Sequence, residues 1–160
     1  MKHKAIYPGT FDPITLGHIN ILEKASHLFD HVTLAVADYT GKSNIFSLEE
    51  RFRMCEQATQ HLDNVSVGSF QGLVVDYAQS LSCRIMIRGM RAVSDFEYEL
   101  SLALTNTKLN PGIETIFMVP SLRYMYLSSS LIRQLAELGS NLTDFVPPCV
   151  EQALLAKFRK

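Results

Sequence analysis

The sequence predicts an α/β fold, an open five-stranded parallel sheet with helices on both faces. Three observations support this. Short apolar runs alternate with segments whose apolar residues recur at helical spacing. Several of the strand-like runs are apolar throughout, as strands covered on both faces are. Loops containing Gly, Pro or polar residues follow the runs, where the ligand crevice of an open sheet lies.

Lys4 to Tyr7 reads as the first strand, followed by the tight stretch Tyr7-Pro8-Gly9-Thr10-Phe11-Asp12-Pro13. From Gly17, Ile19, Leu22, Ala25, Leu28 and Phe29 recur at helical spacing, and Val32 to Ala37 is the second strand. Asp38 to Phe46 is a polar loop, and Ser47-Leu48-Glu49-Glu50 forms a capping box. The helix it opens turns Phe52, Cys55, Ala58 and Thr59 or Leu62 inward and ends near His61. Val65 to Phe70 is the third strand, and Gly72 to Leu81 a helix with Leu73, Val74, Tyr77, Ala78 and Leu81 inward.

Arg84 to Ile87 is the fourth strand, with Arg88 and Arg91 just beyond it. Ser94-Asp95-Phe96-Glu97 suggests a second capping box for a helix reaching Leu109, before Asn110-Pro111-Gly112. Glu114 to Val119 is the fifth strand. Ser128-Ser129-Ser130 then caps a helix carrying Leu131, Ile132, Leu135 and Leu138 and ending at Gly139. Val150 to Phe158 is a final short helix. With neither repeat nor linker, residues 1–160 are expected to form a single domain, and a chain of this size buries roughly two-thirds of its unfolded surface.

Composition narrows the function. Hydrophobic residues make up 47%, charged residues 19%, and the formal net charge is −1. That balance opposes disorder and gives no reason to expect nucleic acid or a membrane as partner, so any anion must meet a local basic cluster. Cys55, Cys83 and Cys149 lack the spacing of a disulfide scaffold or a zinc site. The N-terminus carries no apolar signal segment, and no run approaches the length of a membrane span. The expectation is a soluble, cytoplasmic protein.

Candidate groups gather at the carboxyl edge of the expected sheet: Thr10 and His18 around the first loop, Lys42 after the second strand, Arg88 and Arg91 after the fourth, and Ser128 to Ser130 after the fifth. Imidazole, ammonium, guanidinium and hydroxyl donors suit phosphoryl or nucleotidyl transfer, which depends on positioning and neutralising oxygens, and they form no metal cage. Each also has a plainer reading. His18 and the serines fit as helix caps, Lys42 as a solvated loop lysine, and the arginines as partners of Asp95, Glu97 or Glu99. Neither a Walker loop nor a dinucleotide fingerprint is present, and no serine sits in GxSxG.

Thr15-Leu16-Gly17-His18, within GTFDPITLGH, resembles the (H/T)xGH signature of the nucleotidyltransferase superfamily, and LSSSLIR at 127–133 resembles ISSSxxR. With SLEER at 47–51 and IRGMRAVSDFEYE at 87–99, nearly the whole chain is similar to the bacterial phosphopantetheine adenylyltransferase family. The resemblance implies a Rossmann-like nucleotidyltransferase fold. It also implies a homohexamer that transfers AMP from ATP to 4'-phosphopantetheine by direct in-line attack, giving dephospho-coenzyme A and pyrophosphate, with Mg2+ accompanying ATP.

By the same resemblance His18 would stabilise the transition state at the ATP phosphates. Thr10 would hold the attacking phosphate, and Lys42 would neutralise it or the transferring phosphoryl group. Arg88 would grip the phosphopantetheine phosphate, while Arg91, Ser129 and Ser130 would hold the outer phosphates of ATP. Gly9, Phe11, Gly89, Tyr124, Met125, Tyr126, Leu127 and Ser128 would complete the ATP site, with Glu99 nearby. Leu73, Val74, Leu102 and Asn106 would border the pantetheine arm.

Three departures stand out against the family pattern. The loop usually resembling NPSKKPLF reads Tyr39-Thr40-Gly41-Lys42-Ser43-Asn44-Ile45-Phe46, with its prolines and second lysine lost. Gln134 and Met125 replace residues common there. An adenylyl- or cytidylyltransferase with another phosphate acceptor, and a nucleotide-binding protein without turnover, are the competing readings.

Overall fold

The structure is a computed structural model that describes residues 3–39, 41 and 43–159. Five strands, β1 (Lys4–Gly9), β2 (His31–Ala37), β3 (Val65–Phe70), β4 (Ile85–Gly89) and β5 (Glu114–Met118), form one sheet in the order β3-β2-β1-β4-β5. Every pairing is parallel. The helices are α1 (Leu16–Leu28), α2 (Leu48–Thr59), α3 (Val74–Ser80), α4 (Val93–Leu109), α5 (Ser129–Glu137) and α6 (Pro148–Phe158).

Side-chain alternation along the strands divides the core. Ala5, Tyr7, Leu34, Val36 and Ile87 pack in one cluster with residues of α1, α2, α5 and α6. Ile6, Ala35 and Met86 point the other way and meet Val75 and Ala78 of α3. The sheet is therefore covered on both faces, which is why its central strands are apolar at successive positions.

The chain reverses its direction of winding between β1 and β4, and the pairing of these strands locates the crevice. β1 pairs with β2 from Lys4 to Gly9, but with β4 only where Ala5 and Ile6 face Ile85 and Met86. Beyond that point the strands part, and a ligand space opens at the topological switch. The parting also explains why β1 runs through Pro8, beyond its expected end at Tyr7. Proline lacks an N–H, and on the β4 side none is needed; the Pro8 carbonyl instead accepts from Arg88 Nη1 at 2.9 Å.

Other boundaries shift for local reasons. The capping box at Ser47 forms as the sequence predicts, with Ser47 and Glu50 exchanging bonds. The helix expected to start from Ser94 starts two residues earlier, with Ala92 as its N-cap, and Asp95 accepts the Arg91 backbone N–H at 3.1 Å. On α2 the buried stripe is Arg51, Met54, Cys55, Ala58 and Thr59, with Phe52 only half-buried. Leu28 and Leu138, expected inside, are 68% and 82% exposed at the ends of their helices.

Candidate active site

Two adjoining pockets occupy the carboxyl edge of the sheet. The first, of about 350 Å3, lies between the β1 and β4 loops and the start of α5. The second, of about 250 Å3, lies toward α3 and α4. Pro8, Gly9, Thr10, Arg88 and Tyr98 line both, so Thr10 and Arg88 stand where the two meet.

His18 lies in the first turn of α1. Its Nδ1 accepts the Thr15 backbone N–H at 3.0 Å, while Thr15 Oγ1 accepts the His18 N–H, a capping box with histidine in the usual glutamate position. A ring nitrogen that accepts an N–H carries no proton itself. The neutral ring is therefore protonated at Nε2, which is left as a donor. Phe11 packs edge-on against the ring at 5.1 Å. Burial, then the charges of Arg91 and Arg88, lower the His18 pKa from 6.5 to about 4, so the ring is neutral at physiological pH.

The arginines are oriented by carboxylates. Arg88 donates from Nε and Nη2 to the two oxygens of Glu99, at 2.7 and 2.8 Å, a bidentate pair with Glu99 only 7% exposed. With one Nη1 hydrogen given to Pro8, two of the five guanidinium N–H groups have no partner among the described residues. Burial opposes the charge on Arg88, yet bonding to Glu99 leaves its pKa raised overall. Arg91 is placed by Asp95 at 3.2 Å and by the Leu127 carbonyl at 2.6 Å.

The serine run forms the start of α5. Ser128 caps it by accepting the Leu131 N–H, Ser129 donates to the Pro13 carbonyl at 2.8 Å, and Ser130 accepts from Arg133. Ser128, Ser129 and Ser130, at the N-terminal end of α5 where the helix dipole favours an anion, line the pocket together with Arg91. The plainer readings of His18, Arg88, Arg91 and Ser128, as caps and ion-pair partners, thus hold together with their place at the crevice. The same bonds that occupy one edge of each group aim the other.

The first pocket is lined by Gly9, Phe11, Gly89, Glu99, Tyr124 and Leu127 besides the donors above. A Cβ at Gly89 would lie 2.7 Å from Ile21 Cδ1, the end of the α1 side chain that packs over this part of β4. Met125 and Tyr126 are outside the lining. Met125 ends the short 3-10 turn 122–124, and Tyr126 is 57% exposed with its ring edge-on to Phe145. The second pocket takes Val74, Leu102 and Asn106, together with Phe70 and Met86. Leu73 is absent from that lining, since it is the N-cap of α3 and 52% exposed. Lys42 lies outside the described residues.

Asp12, Arg51 and Arg133 enter the sequence argument only as members of the GTFDPITLGH, SLEER and LSSSLIR segments, with no site role given to them. Asp12 is 2% exposed, and its carboxylate accepts the backbone N–H groups of Ile45 and Phe46, tying the loop after β2 to the loop after β1. Arg133 donates to the Asp12 carbonyl at 2.7 Å. The available signal for Arg51 was a charge on the apolar stripe of α2, at helical spacing from Met54, Cys55 and Ala58.

Comparison with known proteins agrees with this geometry. The cytidylyltransferase-like family matches residues 6–135. Phosphopantetheine adenylyltransferases from Caldanaerobacter subterraneus subsp. tengcongensis and Staphylococcus saprophyticus are each 47% identical, over 98% of this chain and 98% of theirs. That of Staphylococcus haemolyticus is 45% identical over 99% of both. In fold alone the chain is similar to a crystal structure described as a nicotinate-nucleotide adenylyltransferase from Vibrio parahaemolyticus. The TM-score is 0.74 at 19% identity, covering 97% of this chain and 99% of that one. Near-full-length identity to these relatives, on a parallel sheet whose switch point carries the TLGH and SSSLIR segments, places the chain in the phosphopantetheine adenylyltransferase family.

Proposed function

We propose that the paired pockets carry out the family's reaction: the chain transfers AMP from ATP to 4'-phosphopantetheine, giving dephospho-coenzyme A and pyrophosphate, as a step of coenzyme A biosynthesis. The observation that carries this reading is the junction of the pockets. A donor-rich space for a triphosphate meets a narrower one with apolar walls at Thr10 and Arg88, where two phosphates would face each other.

The acceptor phosphate is its own nucleophile. Its second pKa is about 6, so it is largely dianionic at neutral pH and needs alignment more than deprotonation. Thr10 donates to it and Arg88 neutralises it with the N–H groups that Glu99 and Pro8 leave uncommitted. His18, fixed as the neutral Nε2–H tautomer, donates to an oxygen of the α-phosphate as charge builds in the transition state. Arg91 and the N-terminal turn of α5 receive the leaving pyrophosphate. Lys42 joins the acceptor side in this reading.

Among the described residues no cluster of His, Cys, Asp or Glu is arranged to hold a metal ion. The nearest carboxylates, Asp12, Asp95 and Glu99, are already engaged by backbone N–H groups or arginines. Mg2+ therefore enters this reading bound to ATP oxygens, where it offsets phosphate charge. Self-association, as the homohexamer that the resemblance implies, is supported by outward apolar residues of α4 and β5. Leu104 and Leu109 are 64% and 53% exposed, and Ile116 is 39% exposed on the edge strand. Light scattering tests it, with a mass of six chains expected and one chain contradicting it. A cytoplasmic location fits the substrates, and among the described residues no helix is long and apolar enough to cross a membrane.

Pyrophosphate release from Mg-ATP, with 4'-phosphopantetheine or nicotinamide mononucleotide supplied in parallel, tests the reaction. Release dependent on phosphopantetheine and lost in His18→Ala is expected. Release with nicotinamide mononucleotide alone would overturn the acceptor, and ATP binding without release from either would overturn turnover itself.

A further inference from the structure

Arg51 is 1% exposed, inside the apolar stripe of α2, and among the described residues it has no carboxylate within ion-pair distance. A buried charge without a counter-ion is costly, and an aliphatic residue would suit that stripe better. Its guanidinium instead donates to three carbonyls from three segments: Nη1 to Thr10 at 2.8 Å and to Ala37 at 2.7 Å, and Nε to Phe46 at 3.3 Å. These are the loop after β1, the end of β2 and the residue just before the α2 cap.

The Thr10 carbonyl belongs to the peptide joining Thr10 to Phe11, and Phe11 has φ 50, a region that residues with a Cβ rarely adopt. Holding that carbonyl fixes the plane of the peptide and so the orientation of Thr10 at the junction of the two pockets. Asp12, two residues on, accepts the Phe46 N–H at 3.0 Å, and the Phe46 carbonyl returns to Arg51. Thr10, Arg51, Phe46 and Asp12 thus form a closed circuit: the Thr10 carbonyl is held by Arg51 of α2, and Asp12, two residues on, is held by the loop before α2.

We propose that Arg51 is a positioning residue for the transfer reaction, acting through the Thr10 peptide to hold the Thr10 hydroxyl where the acceptor's attacking phosphate is received. This rests on the reading of Thr10 given above. A lysine keeps the charge at position 51 but lacks the planar fork that reaches three carbonyls at once.

The test is a four-way comparison of wild type, Thr10→Val, Arg51→Lys and the double variant. Initial rates are measured with Mg-ATP and 4'-phosphopantetheine, each protein being verified as folded by its thermal transition. Misplacing a contact group by about an ångström costs up to about 100-fold, so Arg51→Lys is expected to lower kcat at least about tenfold with the KM for ATP within about twofold. In the Thr10→Val background the same change should lower kcat less than about twofold further, because the group it positions is already gone.

A purely structural role would move the thermal transition without this coupling. An equal loss in both backgrounds, or full kcat in folded Arg51→Lys, would overturn the proposal. Thr10→Val with wild-type turnover would remove the Thr10 reading, and the Arg51 proposal with it, whereas an impaired Thr10→Val with additive losses removes only the latter. Should Arg51→Lys not fold, Asp12→Asn, which weakens the circuit at its other end, enters the same comparison; additivity with Thr10→Val would again overturn the proposal.

Discussion

The two pockets that meet at Thr10 and Arg88 are built by opposite means. In the first, donors sit at strand ends and helix starts, and each is aimed by a bond on its far side: His18 by Thr15, Arg88 by Glu99, Arg91 by Asp95 and Leu127. In the second, away from the shared Thr10 and Arg88, Phe70, Val74, Met86 and Leu102 supply surface and shape, with Asn106 among the polar groups. The difference teaches where rate and selectivity reside. Transition-state charge calls for rigid dipoles, while discrimination among acceptors calls for fit along a thin arm. Changes in the first pocket should therefore strike kcat, and changes in the second should strike the acceptor's KM.

The largest effect is expected from His18→Ala. Removing one positioned donor to a transition-state oxygen costs about 100- to 1000-fold in kcat, and steady-state pyrophosphate release should show it with both KM values little changed. A rise in the acceptor KM of the same size would erase the distinction between the pockets.

Arg88→Ala tests the boundary. It leaves the Glu99 carboxylate buried without its partner, at a cost of about 3 kcal/mol in urea unfolding, and it raises the acceptor KM. Adding Glu99→Gln should restore most of the stability and none of the affinity. Recovery of both would mean that Arg88 serves the fold alone.

In the second pocket, Leu102→Ala should raise the acceptor KM about tenfold, since losing an apolar contact along a substrate arm is worth roughly 1–3 kcal/mol. The KM for ATP should stay unchanged. A further effect is on stability against pH. His18 has its pKa lowered from 6.5 to about 4 in the folded chain, so between those values the unfolded state binds more protons. Its contribution is complete above about pH 6.5 and is lost as pH falls toward 4. His18→Asn should flatten that part of the acid decline in Tm, and an unchanged slope would contradict the buried neutral ring.

Much of this was legible in the sequence, because the signals are local. Apolar runs marked all five strands, and the Ser47 and Ser128 caps followed from short-range hydroxyl chemistry. The motif residues His18, Arg88, Arg91 and Ser128 to Ser130 do gather at one pocket. What stayed hidden depends on contacts distant in sequence. Arg51 reaches Thr10 across 41 positions, and Asp12 reaches Phe46 across 34, which no periodicity records. The helix start expected at Ser94 was off by two residues, because α4 begins at Val93 with Ala92 as its N-cap. Leu73 and Tyr126 lie outside the two linings, since residues beside a site in the chain need not turn toward it.

The central claim is that oriented groups drive a direct attack of the acceptor phosphate on the α-phosphorus, with no protein nucleophile between. The stereochemistry at that phosphorus tests it most directly, using ATP made chiral by a sulfur on the α-phosphate and 4'-phosphopantetheine as acceptor. A single in-line displacement gives dephospho-coenzyme A with inverted configuration, the expected result. Retention would mean two displacements through a covalent adenylyl intermediate on the chain, and would contradict the assignment of His18, Thr10, Arg88 and Arg91 as purely orienting and neutralising groups.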